Sequence, residues 1–195
     1  MLQMLERALG KRRIVELPWL KNDLLLDPFR PMLEPEGFEN SLELEDSRAR
    51  HHEAIIRVFE KAHVFVFTMG LTETWQSKAD GSVFPLCPGT VGGSFDPDCY
   101  EFLNLTAQDC IVDMAAFFKL ARNIRPNLKF LLTVSPVPLA ATASGDHVLT
   151  ATLKSKSILR AACAALYDQF DFVDYFPSYE IISSPPFKGY FFESD

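Results

Sequence analysis

Three short polar segments break apolar runs sharply, and the first of them combines residue types that can bind and polarise a carbonyl. The first is Thr68-Met69-Gly70-Leu71-Thr72-Glu73-Thr74-Trp75, in which a glycine ends an apolar run and a hydroxyl follows two residues later. A glycine there lets the backbone bend so that its N–H points into a cleft, and Thr72 adds a side-chain donor. A backbone N–H and a side-chain donor aimed at one point are the requirement for an oxyanion hole. The same spacing fits a glycine-initiated loop in which Thr72 caps the next turn, and spacing alone favours that second reading. The other two segments are Thr133-Val134-Ser135-Pro136-Val137-Pro138 and Phe176-Pro177-Ser178-Tyr179-Glu180. His147 is the one histidine near either of them, and a catalytic role and a loop-anchoring role weigh equally for it. Asp146 beside it points along the chain rather than into its ring, and Pro136 blocks one side of Ser135. No nucleophile, base and acid can be assembled from these residues. There is no GxSxG, GxGxxG, P-loop or HExxH pattern, and no cofactor or metal site is expected.

These segments are informative because each follows an apolar run that reads as a strand. His63 to Gly70 is a continuous apolar stretch after a helical pattern, as expected of a parallel strand buried on both faces. Leu128–Val134 and Phe170–Phe176 read as two further strands. Helices are expected from Leu2 to Leu9, from Asn40 or Ser41 to about Ala62, from a Thr106 cap with Asp109 three residues on to about Asn123, and from about Thr150 to Gln169. The last should bury Ile158, Ala161, Ala162, Ala165 and Leu166. Residues 14–40 read as a proline-rich loop that packs on a core, and residues 76–104 as a turn-rich excursion with room for a small hairpin. Helices alternating with strands imply parallel pairing through right-handed crossovers, and open parallel sheets place their sites at the carboxyl ends of the strands. All three polar segments fall there. Three strands make a thin sheet, and a first helix without a cap opens the chain. Both lead to the expectation of a single α/β domain over residues 1–195, cut at both ends, with apolar surface bared where strands are missing.

Composition bounds the partners. Of 195 residues, 48% are hydrophobic and 23% charged, the balance of a folded globular chain. The 17 phenylalanines imply a core of large rings. The net charge of −7, with no basic cluster longer than Lys11-Arg12-Arg13, excludes an electrostatic footprint for nucleic acid or an anionic membrane. No secretory leader and no spanning apolar run is visible, so a cytoplasmic location is expected. Cys110 and Cys163 sit in apolar helical patterns as small buried residues, while Cys87 and Cys99 flank one loop and would pair only in an oxidising compartment. His51 and His52 have charged neighbours and read as a solvated face. The oligomeric state is not readable.

The three segments together resemble blocks of the GSCFA family: Thr68–Trp75, Leu132–Leu139 with the following His147-Val148 and Ser155-Lys156-Ser157, and Tyr175-Phe176-Pro177-Ser178-Tyr179-Glu180-Ile181-Ile182. They occur in order, and the likeness spans nearly the whole chain. The family is related to the SGNH hydrolases, three-layer α/β/α esterases with a parallel sheet. The resemblance therefore implies an SGNH-like fold and, in a complete domain, a serine ester hydrolase acting on a small-molecule or glycan acyl ester. Gly70 and Thr72 would match the oxyanion block, although SGNH enzymes usually carry Asn at the Thr72 position. Asp195 would match the Asp of a late Asp-x-x-His pair. The Gly-Ser-Cys-Phe-Ala motif that names the family does not occur here: Gly81-Ser82 leads to Val83 and Gly93-Ser94 to Phe95. The resemblance thus implies an N-terminal strand and nucleophile block missing from this chain, and a chain inactive by itself. The alternative is a non-catalytic domain that binds a glycan or a protein on the same scaffold.

Overall fold

A computed structural model describes residues 1–183. It divides into two compact units, one of residues 1–61 with 74–104, the other of residues 62–73 with the chain from Leu105 onward.

The first unit contains helices α1 (Leu2–Ala8) and α2 (Ser41–Lys61), which pack on one another, and five short strands. β1 (Trp19–Lys21) and β2 (Leu24–Leu26) form an antiparallel hairpin, and β5 (Val83–Phe84), β4 (Glu73–Ser77) and β6 (Tyr100–Asn104) form a three-stranded sheet in that order. The second sheet extends the hairpin expected in the excursion. The β1–β2 hairpin corrects the loop expected over residues 14–40: its two-residue turn, Asn22-Asp23, takes positive φ at both positions (48° and 67°), as a hairpin turn matching strand twist requires. Around it lies a core of Trp19, Leu26 and Phe84, flanked by Phe29, Trp75, Val91 and Tyr100. Gly93 passes so close to Trp19 that a Cβ would stand 2.9 Å from the indole.

Asp27 follows β2, 3% exposed, and ties this unit together. Its carboxylate accepts from Arg30 Nε at 2.8 Å, from Arg48 Nε and Nη2 of α2 at 3.1 Å each, and from its own loop at Phe29 N–H. Arg7 of α1 stacks 4.0 Å over the Phe29 ring. Burial alone would push the Asp27 carboxyl up, but the hydrogen bonds and charge of Arg48 and Arg30 outweigh it and bring it down to about 2. His51 and His52, expected on a solvated face, are half-buried beside this cluster; burial first, then the arginine charge, lowers both.

The second unit is a parallel sheet, β3 (Val64–Met69), β7 (Lys129–Val134) and β8 (Val173–Tyr175), in the order β3-β7-β8. Register runs from Val64 opposite Lys129 to Met69 opposite Val134, and Phe130 faces Val173. Helices α3 (Ala107–Ile124) and α4 (Val148–Gln169) pack together and make the crossovers; α5 (Ser178–Ser183) follows β8. A parallel sheet flanked by helices agrees with the α/β/α expectation. The α3 start is as expected: Thr106 Oγ1 accepts from Asp109 N–H while the Asp109 carboxylate accepts from Thr106 N–H. A ring cluster of Phe65, Phe117, Phe118, Phe130, Phe170 and Phe172 fills the sheet–helix interface. Cys110 and Cys163 are buried as expected, and Cys87 and Cys99 are free thiols. Burial pushes the Cys163 thiol up to about 12, and it donates to Met69 Sδ at 3.3 Å.

Two expectations are corrected here. β3 is not buried on both faces: Phe65 and Phe67 point to the ring cluster, while Val64 and Val66 are 51% and 60% exposed, because β3 is the edge strand of this sheet. The third strand is shorter than expected, since Phe170 still closes the α4 backbone and only Val173 starts the ladder.

Replacing Asp27 by Ala leaves two arginines half-buried beside a lost carboxylate, which costs about 3 kcal/mol. Urea unfolding followed through Trp19 and Trp75 fluorescence should show it. Because the folded carboxyl is depressed, its stabilisation is present above pH 3.8 and is lost as pH falls from 3.8 toward 2; the variant should lack that acid limb.

Candidate functional site

The carboxyl ends of β3, β7 and β8 carry the three polar segments, and the structure shows how each is held. After Met69 the chain leaves β3 through Gly70-Leu71-Thr72. Lys156 Nζ donates to the Gly70 carbonyl at 2.8 Å, Ser155 Oγ accepts from Thr72 N–H at 2.9 Å, and the Thr72 carbonyl accepts from Leu105 N–H at 2.9 Å. Ser155, Lys156 and Thr72 are each 1% exposed. The turn is therefore gripped by two successive residues of α4. Burial lowers the Lys156 pKa, and no carboxylate among the described residues forms an ion pair with it.

This grip fixes a peptide plane. In a trans peptide the carbonyl and the following N–H point in opposite directions. With the Gly70 oxygen turned in toward Lys156, the Leu71 N–H points away from α4. Gly70 is exposed, its φ is ordinary, and a Cβ built on it meets no described atom within 4 Å.

Glu73 begins β4 and secures the 139–147 loop. Its carboxylate accepts from Thr142 Oγ1 at 2.6 Å and Ala143 N–H at 3.4 Å, and Thr142 in turn meets Ser144 Oγ at 2.8 Å. Leu139 N–H donates to Thr152 Oγ1 at 3.1 Å. His147 closes this loop as the N-cap of α4, its Nδ1 accepting from Leu149 N–H at 3.3 Å. Ser135 Oγ accepts from Val137 N–H at 3.2 Å, while Ser135 N–H reaches back to the Met69 carbonyl at 2.9 Å.

At the third segment, Ser178 Oγ donates to the Val134 carbonyl at 2.8 Å and also meets Thr133 Oγ1. Tyr175 Oη and Arg160 Nε both donate to the Glu180 carboxylate, at 2.8 and 2.5 Å, and the guanidinium stacks 4.2 Å over the tyrosine ring. Burial raises the Tyr175 hydroxyl and Glu180 adds to it.

Of the residues singled out by sequence, Gly70 and Thr72 lie together in one turn. The Thr72 backbone N–H is committed to Ser155 and its side chain is buried; the turn presents Gly70 and Leu71 outward. His147 sits in the α4 cap, and Asp195 lies outside the described residues. No group of three or more His, Cys, Asp or Glu among the described residues could hold a metal. No helix among them is long and apolar enough to cross a membrane. Sequence reasoning missed Ser155 and Lys156: of the expected stripe Ile158, Ala161, Ala162, Ala165 and Leu166, only Ala162 and Leu166 are buried, and the buried face also carries Ser155, Lys156, Leu159 and Cys163. A signal was present: Ser155 and Lys156 precede Leu159, Ala162, Cys163 and Leu166 at helical spacing.

These features define an α/β protein with a polar rim at the carboxyl ends of a parallel sheet. The chain belongs to the GSCFA family, whose model matches residues 1–195. No curated protein and no solved structure matches it.

A lone buried ammonium is costly, so Lys156→Met should be neutral or stabilising by about 1 kcal/mol near pH 7. Because the folded Lys156 pKa is lowered, its penalty falls as pH rises toward 10.5. The stability difference between wild type and Lys156→Met, from paired urea titrations at pH 7 and 9.5, should shrink accordingly.

Proposed function

We propose that the Gly70–Thr72 turn forms the oxyanion side of an SGNH-type ester-hydrolase site, used in a complete domain on a small-molecule or glycan acyl ester. The observation that carries this reading is Gly70. Neither its backbone angle nor its packing demands glycine, yet open space adjoins it at the mouth of the rim. A glycine there gives a substrate atom closer access to the main chain than any other residue allows. Beside it, Lys156 orients the peptide so that Leu71 presents its N–H outward, a preorganised donor of the kind that stabilises a developing oxyanion. In this reading Thr72 acts by fixing the turn rather than by donating from its side chain. His147 shapes the loop, and Asp195 keeps the acid role the family resemblance gives it. The nucleophile would come from a Gly-Ser-Cys motif that this sequence does not contain. The acidic balance of the chain suits a cytoplasmic protein with no nucleic-acid or membrane partner.

A second reading is favoured by one observation: His147 Nδ1 accepts from Leu149 N–H in the α4 cap instead of facing a nucleophile. A non-catalytic domain that binds a glycan or a protein at the same rim needs no histidine facing a nucleophile.

Titration of the isotope-labelled chain with ethyl methylphosphonate, a tetrahedral anion resembling the hydrolytic intermediate, tests the hydrolase reading. The Leu71 amide should shift, and Gly70→Ala should weaken binding at least about tenfold while changing unfolding free energy by less than about 1 kcal/mol. A phosphonate that leaves residues 70–72 unperturbed contradicts it. The 195-residue chain is expected not to turn over p-nitrophenyl acetate; turnover abolished by Thr72→Ala would show that it carries a working nucleophile of its own.

A further inference from the structure

At the opposite end of the same sheet, where β7 and β8 begin, a groove of about 600 Å³ opens between α3 and the segment leading into β8. One wall is aromatic. Phe118 meets Phe170 and Phe172 edge-on, with centroids 5.7 and 6.0 Å apart, and the latter two rings lie 5.2 Å from one another. The facing stretch of α3 offers Ala116, so no long apolar side chain fills the slot. Two cations reach its rim. Arg122 lies 4.0 Å over the Phe172 ring and is braced by an Nη1 hydrogen bond of 2.8 Å to the Leu128 carbonyl. Lys119, one turn earlier on α3 and exposed, shares that face. Among the described residues no acidic side chain lines the groove, although the whole chain carries a net charge of −7.

An aromatic wall, a gap left by alanine and a pair of cations with no acidic residue among the described lining are complementary to one kind of ligand. We propose that this groove binds a small aromatic carboxylate, its ring packed against Phe170 and Phe172 and its carboxylate on Arg122 and Lys119. The volume is within the range of small-molecule sites. A braced arginine favours a carboxylate because its planar fork is already oriented and offers further N–H donors. The groove lies at the amino ends of the strands and the Gly70 rim at their carboxyl ends, so the two sites are distinct. The inference does not depend on the hydrolase reading.

Calorimetry and amide shifts with 2-naphthoate, compared with neutral 2-naphthalenemethanol, test it. Naphthoate should bind with a dissociation constant of about 1 mM or tighter and shift amides of residues 115–123 and 170–172. It should be preferred over the alcohol by about fivefold, the value of one exposed charge pair. Lys119→Glu should remove that preference and leave the alcohol bound, and Ala116→Trp should abolish binding of both; circular dichroism confirms that each variant is folded. Should Ala116→Trp not fold, Lys119→Glu decides alone, since Lys119 is exposed. Equal binding of acid and alcohol, shifts confined to other regions, or no binding would overturn the proposal.

Discussion

The rim at the carboxyl end of the parallel sheet depends on one hydrogen bond between a buried ammonium and a backbone carbonyl. Lys156 is 1% exposed, and the Gly70 oxygen is its hydrogen-bond acceptor in the structure. Desolvating an ammonium costs several kcal/mol even after relaxation, and a methionine would fill the same space at no such cost. What the lysine adds is direction. It turns the Gly70 carbonyl inward, and Ser155, its neighbour on α4, holds the next N–H but one. The turn leaving β3 is thus set by a helix more than eighty residues further along the chain. Stability is traded for geometry at the place where open parallel sheets carry their sites.

The rest of the rim is built to the same plan. Glu73 holds the 139–147 loop through Thr142 and Ala143, His147 finishes that loop as the cap of α4, and Ser178 bonds to the end of β7. In each case a polar side chain is spent on a backbone group or a loop hydroxyl. This accounts for polar residues in all three segments without making each of them a catalyst. The first unit solves a similar problem with Asp27, which gathers Arg30 and Arg48 from two different elements. There the charges are paired, and the hydrogen bonds and charge of the two arginines outweigh the cost of burying the carboxylate.

Features decided within a few residues were legible in the sequence. The α3 capping box follows from Thr106 and Asp109 three positions apart, and the strands from apolar runs ending in Gly70 and Pro136. The order of helices and parallel strands followed from these. Features decided by distant partners were not. The β1–β2 hairpin hid among prolines because its turn is Asn22-Asp23 rather than a glycine pair. β3 read as doubly buried because an edge strand and a central one have the same apolar run. Most consequential was the face of α4. Ser155 and Lys156 fell outside the expected apolar stripe, and they are buried with the turn after β3 supplying their partners. Gly70 and Thr72 share the turn after β3, but how that turn is held depends on hydrogen bonds to Ser155 and Lys156 that no spacing reveals.

Amide hydrogen exchange at Thr72 tests the clamp most directly. In the wild-type protein this amide should be protected to a degree close to the central β7 amides, since its N–H is held by buried Ser155. In Ser155→Ala its protection should fall at least about tenfold, about the worth of one lost hydrogen bond, while the β7 amides stay unchanged. Equal Thr72 exchange in the two proteins would contradict the claim that α4 holds the rim.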